Sequence, residues 1–318
     1  MSVPALVDEP ADDVLPELAG FLRPRLRDDV PVMWRSESTI QIGEDVVIDR
    51  VSRSHVAWLS SLDGLHSPAM IAESLTIPDP DAARLVRALL AAGALDDAAR
   101  IPEPMRWLPQ PARDTAAGRF GAALQTHRSL ERAYAAVAAR DACRIVVVGE
   151  GAVADELRSS VESAGLRVVT DHATFTLLAD APHPDVPARF DDPAQDLPHL
   201  HVGVLGARAV VGPLVVPGMT SCLRCAHLHR RDADPAWPLL SVQWAQAVPA
   251  MAVPPRDPLL TRLAAAHAAQ LVSAWADLPD EPGSWSGYAL EISLPLGMTT
   301  RRERPPHPLC GCAWAADR

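Results

Sequence analysis

Two close pairs of cysteines, Cys222-Leu-Arg-Cys225 and Cys310-Gly-Cys312, stand 310 − 225 = 85 residues apart. Each pair can supply two thiolates to one tetrahedral zinc ion. The first pair has the usual two-residue gap. The second has a single residue, Gly311, which lacks a side chain and tolerates a tight turn. Four cysteine ligands leave no position open for water or substrate, so such a site contributes to folding and not to catalysis. Four free buried thiols are the bland alternative. A redox C-x2-C is another, but it leaves the second pair unexplained. His227, His229 and His307 lie near the pairs; they could replace a ligand or support one, and they read more simply as surface residues. Cys143 stands alone before an apolar run and reads as a small core residue.

A second constellation surrounds Gly149-Glu-Gly151-Ala-Val-Ala154. It follows a buried-strand run, Arg144 to Val148, and precedes a helix with Val153, Leu157 and Val161 on one face. Another strand, Leu166 to Val169, ends near Asp171, 171 − 149 = 22 positions after the first glycine. That is the layout of a dinucleotide-type fold, with Gly149 and Gly151 near a phosphate and Asp171 near a ribose. The layout is good evidence for a fold and weaker evidence for a ligand. The segment after Asp171 carries no arginine cluster to hold a phosphate, and the chain has no lysine, all 29 basic residues being arginine.

These groups need elements to position them. In the second half, Thr174 to Leu178 reads as a strand. His201 to Leu205 and Ala209 to Val216 read as a hairpin about Gly206-Ala207-Arg208. Asp257-Pro258 opens an amphipathic helix through Leu260, Leu263, His267, Leu271 and Trp275, with His267 a core or interface histidine. Tyr288 to Leu294 alternates as a strand. The Cys222 pair falls in the loop after the hairpin, so zinc would tie that loop to the C-terminal tail.

The first half has a different pattern. Val32–Trp34, Thr39–Ile42 and Asp45–Ile48 are short strand runs. Three helices follow, capped by Ser52, by Ser67 before Pro68, and by Asp79 before Pro80. The third carries Leu85, Val86 and Leu89 on one stripe, with Arg84 and Arg87 toward its flank. This β-β-β-α-α-α order predicts a winged-helix-like module over residues 25–97. A proline-rich linker over 98–112 then leads to an α/β domain over 113–318. Asp79, Asp81, Asp96 and Asp97 bracket the third helix, which is poor chemistry for DNA. The alternative is a peptide added along the third strand, Val46, Val47 and Ile48, with Arg84 and Arg87 beside it. Arg84 and Arg87 as plain solvated residues remain equally open.

Composition agrees. Hydrophobic residues make up 48% and charged residues 22%, which argues against a disordered chain. A net charge of −11 argues against nucleic acid and anionic membranes as partners. No uncharged stretch reads as a membrane span. Asp8, Glu9, Asp12 and Asp13 stand where a signal peptide needs a basic and then an apolar region, so the expected location is cytoplasmic.

Val211-Gly-Pro-Leu-Val-Val-Pro-Gly218, the two cysteine pairs and His307-Pro-Leu-Cys-Gly-Cys312 resemble the E1-like (ThiF-type) proteins of azol(in)e-peptide biosynthesis. These are leader-peptide-binding partners of cyclodehydratases. The resemblance implies an α/β chain: a winged-helix-like peptide-recognition module, then a degenerate E1-like, Rossmann-like domain with a zinc staple. It implies that the module binds the leader segment of a ribosomally made precursor and presents the core segment to a separate ATP-using cyclodehydratase. It also implies a possible homodimer. Active E1-like enzymes hold ATP with an arginine and a lysine. This chain has no lysine and no Asn-Leu-x-Arg-Gln segment after Asp171, which favours a scaffold. The alternative is an adenylyltransferase that binds ATP near Gly149, Gly151 and Asp171. A flavin- or nicotinamide-carrying protein is a weaker third reading.

Overall fold

The structure, a computed structural model, describes residues 18, 21–27, 30–44, 46–74, 76–99, 110–127, 130–179, 197–251 and 254–312. Most of the expected linker, 98–112, lies outside the described residues. The chain divides into two units, Met1–Ala135 and Ala136–Arg318.

In the first unit, Val32–Trp34 (β2), Ile40–Ile42 (β3) and Val46–Ile48 (β4) form an antiparallel sheet in the order β2-β3-β4. Ile40 faces Ile48 and Ile42 faces Val46 across the ladder, so one face is apolar and packs inward. Pro24–Leu26 (β1) pairs with Leu95–Asp97 (β5) in a small second ladder. The helices are Arg53–Leu59 (α1), Pro68–Glu73 (α2) and Asp79–Ala91 (α3). Ser52 caps α1 in a capping box in which His55 fills the place usually held by Glu or Gln. Ser67 accepts from the Met70 N–H to cap α2. Asp79, expected as the cap of α3, is instead its first residue: Pro78 precedes it and no side chain caps the helix. Leu85, Val86 and Leu89 are buried with Ile40, Ile42, Trp58 and Ile71 in one core. The buried Arg27 guanidinium donates to the carbonyls of Gly93 and Gly121. It thereby ties the end of α3 to a long helix, Gln110–His127 (α4).

The helix Leu130–Ala142 (α5) spans the division between the units. The second unit is built on a seven-stranded mixed sheet. Its strands are Arg144–Val148 (β6), Arg167–Val168 (β7), Phe175–Leu178 (β8), His199–Leu205 (β9), Arg208–Val215 (β10), Tyr288–Ser293 (β11) and Met298–Glu303 (β12). Their order is β12-β11-β10-β9-β8-β6-β7. The β7, β6, β8 and β9 ladders are parallel and those from β9 to β12 are antiparallel. Ala152–Ser163 (α6) crosses from β6 to β7 and packs against Pro258–Asp277 (α9). Val153, Leu157 and Val161 of α6 and Leu260, Ala264, Ala268 and Val272 of α9 bury one face of the sheet. Asp257 caps α9 through the Leu260 N–H at 2.8 Å. Cys143 is buried in this core, and burial pushes its thiol up to about 11. Leu223–Ala233 (α7), Trp237–Ala247 (α8) and the short Pro282–Trp285 (α10) complete the unit. No helix among the described residues is long and apolar enough to cross a membrane.

Candidate functional site

The cysteine pairs converge. The segment after β10 turns into α7, with Cys222 as the N-cap residue and Cys225 one turn inside the helix. Spacing of three along a helix puts both sulfurs on one face. This corrects the expectation of a loop: the first pair sits on a rigid helix start. The second pair lies in the turn after β12, where Gly311 adopts φ 73°, a left-handed conformation that a side chain would resist. Cys222 Sγ lies 3.4 Å from Cys310 Sγ, and Cys225 Sγ lies 3.2 Å from Cys312 Sγ. The two sulfurs of the helix are 3.9 Å apart, and all four lie within 4.8 Å of one another. A tetrahedral zinc with Zn–S of about 2.3 Å needs sulfurs about 3.8 Å apart. The donor set and the geometry therefore fit a divalent, thiophilic metal such as zinc. All five cysteines are free thiols in this structure.

Electrostatics give the same reading. Burial and the neighbouring sulfurs push the Cys310 thiol up strongly, and burial with the Cys225 sulfur pushes Cys312 up to about 11. Burial also opposes charge on Cys225, but the His307 N–H, donating to its sulfur at 3.2 Å, helps hold that thiol below its ordinary value. Four thiolates so close together repel one another unless a cation neutralises them. The three nearby histidines are not ligands here. His307, expected at the surface, is buried at 6% exposure, because its ring is packed between the C-terminal turn and α7. His229 and His227 are half-buried, and His227 Nδ1 accepts from the Trp237 indole N–H at 3.3 Å.

The glycine turn joins β6 to α6 as the spacing predicts. Gly149 and Gly151 have φ of 122° and 82°, and a Cβ on Gly151 would meet nothing within 4 Å, so the space above the helix start is open. Arg158 donates to the Gly149 carbonyl at 3.2 Å and pairs with Asp155 at 2.9 Å. Asp155 puts a carboxylate in the first turn of α6, where a phosphate would otherwise benefit from the helix dipole. Asp171 lies exposed in the bend after β7. Arg256, which sequence reasoning missed, donates to the Val204 carbonyl at 3.1 Å, near the end of β9. Since β6, β8 and β9 are parallel, this guanidinium lies at the same end of the sheet as the glycine turn. Its only sequence signal was a lone arginine among prolines.

In the first unit, β4 is an outer strand of its sheet among the described residues. Val46 and Ile48 point into the core and Val47 is half-buried on the other face. The α3 helix packs against β4. Arg84 does not project freely from that helix. It donates to the Asp49 carbonyl, reaches the Arg50 carbonyl at 3.3 Å and pairs with Asp81 at 3.4 Å. Its guanidinium thus clamps the chain where it leaves β4, at a residue, Arg50, held at φ 56°. Arg87 is half-buried on the same helix.

No protein-family model matches the chain, and no curated protein matches it. Solved structures do. The heterocyclase TruD superposes with a TM-score of 0.59 at 15% identity, over 92% of this chain and 42% of that one. Escherichia coli MccB with succinimide superposes with a TM-score of 0.59 at 13% identity, over 92% of this chain and 99% of that one. The microcin C7 biosynthetic enzyme MccB in complex with N-formylated MccA gives 0.54 at 14% identity, over 91% and 99%. The chain thus spans less than half of TruD and nearly the whole length of MccB. At these identities the likeness establishes architecture: this chain shares the α/β fold of MccB and of the matching part of the heterocyclase.

Proposed function

We propose that the chain is a non-catalytic scaffold that binds the leader segment of a ribosomally made precursor peptide. It presents the peptide to a separate ATP-dependent cyclodehydratase in the cytoplasm. The observation that carries this reading is the outer edge of β4, backed by α3, onto which an extended peptide can add as a further strand. Val46, Val47 and Ile48 supply the edge. Arg84 and Arg87 shape its flank. Residues 25–97 form the recognition module, 98–112 the linker and 113–318 the E1-like domain. MccB has been solved with MccA, and TruD is a heterocyclase of which this chain matches only a part, consistent with a partner that supplies the remaining chemistry. In the same reading Cys222, Cys225, Cys310 and Cys312 hold a structural zinc, which would supply folding energy and no reaction step. A homodimer belongs to the same reading on the family resemblance alone.

A second reading rests on a specific observation. The open glycine turn and Arg256 share one end of the sheet, and MccB has been solved with ATP. An adenylyltransferase would bind ATP there, near Gly149, Gly151 and Asp171. Against it stand the absence of lysine and the carboxylate of Asp155 at the helix start. Two titrations separate the readings. A labelled leader peptide encoded beside the gene should bind the full chain, and Val47→Pro should weaken it at least tenfold without changing metal content. Retained affinity would place the peptide elsewhere. Mg-ATP up to millimolar concentration should give no heat; micromolar binding that Gly151→Leu weakens would replace the scaffold with the adenylating enzyme.

A further inference from the structure

The α7 helix presents one stripe of side chains to the C-terminal turn: Cys222, Cys225, His229 and Asp232, spaced by three, four and three. The first two are half of the metal centre. The last two grip the arm that carries the other half. His229 Nε2 meets the Pro305 carbonyl at 3.1 Å, and its ring lies 4.7 Å from that of His307, edge to face. Asp232 Oδ2 meets His307 Nε2 at 2.8 Å, while Arg231 occupies the other carboxylate oxygen.

His307 uses every polar group it has. Its N–H donates to Cys225 Sγ at 3.2 Å, and its carbonyl accepts from the Cys310 N–H at 2.9 Å. Its Nδ1 accepts from the Leu309 N–H at 3.1 Å. That bond fixes the tautomer: the proton sits on Nε2 and is donated to Asp232. One buried imidazole therefore shapes the turn that aims Cys310 and Cys312, and fastens the turn to the helix that carries Cys222 and Cys225. None of these contacts involves a metal.

We propose that His307, held by Asp232, is a positioning residue for the metal centre: it docks the C-terminal cysteine arm on α7 so that the ion enters a site already assembled. The proposal rests on reading the four cysteines as a metal site. Removing an outer partner of metal ligands costs about 10–100-fold in affinity, and His307→Ala should fall in that range.

The experiment strips the full chain of metal and titrates it with Zn(II) against a chelating dye, then with Co(II) by absorbance. His307→Ala should bind zinc 10–100-fold more weakly, yet at saturating Co(II) show the same four-sulfur tetrahedral spectrum as the parent. His307→Asn, whose Oδ1 can take the Leu309 N–H, should recover part of the loss. Asp232→Ala, at a surface carboxylate, should lose affinity in the same direction even if His307→Ala does not fold. Zinc affinities within threefold of the parent for His307→Ala, or for Asp232→Ala where the first variant is unfolded, overturn the proposal. A cobalt spectrum that changes in His307→Ala overturns it too, since that would make His307 a ligand. A parent chain that binds no metal overturns the metal reading itself.

Discussion

Arg84→Ala separates two roles for one side chain. If the guanidinium met the peptide, its loss would weaken binding and leave the module's stability alone. The structure assigns it to the exit of β4, where it donates to the carbonyls of Asp49 and Arg50 and pairs with Asp81. A hydrogen bond from a charged group contributes about 1.5–3 kcal/mol, less where water can replace the donor. The carbonyls are at the surface, although the Arg84 side chain is only 16% exposed. The expected loss is therefore about 1–2 kcal/mol for the pair of bonds. With a urea m-value of about 1–3 kcal/mol/M, the unfolding midpoint of the first unit should drop by roughly 0.3–2 M. Fluorescence of the buried Trp58 reports the transition. Arg50 offers an internal control. Its φ of 56° costs a non-glycine residue about 1–2 kcal/mol, and the greater backbone freedom of glycine takes back about 0.5–1 kcal/mol, so Arg50→Gly should recover about half of the loss in the double variant. Peptide affinity should fall only as far as β4 is loosened, and should return with the second substitution. An Arg84→Ala chain that unfolds at the parental urea concentration but no longer binds peptide would refute this placement and return Arg84 to the peptide interface.

Three more tests follow from the second unit. Gly212→Ala combines φ 111° with a Cβ placed 3.0 Å from the Ala289 Cα and 3.1 Å from the Tyr288 carbonyl. It should cost more than about 2 kcal/mol and show as a lowered thermal midpoint or as insoluble protein. Burial opposes the Glu291 charge, but Arg208 and Arg302 outweigh it and hold its carboxyl below the ordinary value. A depressed folded value means that its stabilisation is complete above the unfolded pKa of roughly 4.3 and is lost as pH falls through the folded one. Glu291→Gln should therefore shrink the drop in melting temperature between pH 5 and pH 3, and an unchanged drop would show that the pair is idle. Elemental analysis should find one zinc per chain. Stripping it should lower the second unit's melting temperature and free four thiols to a thiol reagent, whereas four thiols titrating at full speed in the untreated protein would exclude a bound ion.

Much of this fold was legible because local signals and tertiary packing agree. Ser52, Ser67-Pro68 and Asp257-Pro258 announce helices that exist, and the β6–glycine turn–α6–β7 unit follows its hydrophobic pattern. What escaped lacks such a pattern. All six residues of β12 are exposed, so no alternation marks it as a strand; pairing with β11 alone makes it one. The β1 and β5 strands are three residues each and meet only through a long-range ladder. The α4 and α5 helices are rich in alanine and show no broad apolar stripe. At the cysteine cluster the candidate ligands could be read from spacing, because chemistry restricts which residues bind zinc. His307 and Asp232 could not, since their pairing depends on where the turn after β12 meets α7. Arg84 could be placed on its helix but not assigned a task, because its partners are backbone carbonyls 34 and 35 residues upstream.

The four sulfurs also set a clock. Cys222 and Cys225 leave the ribosome while β11 and β12 are still unmade, and Cys310 and Cys312 follow every strand of the sheet. The centre closes a contact across more than eighty residues, and contacts at such separation form late. Before β11 is made, the antiparallel end of the sheet has β10 as its outer strand, a long apolar edge open to mispairing. On the metal reading, ion capture follows the last strand of the unit, and a cell short of the ion would accumulate chains whose final turn is undocked from α7.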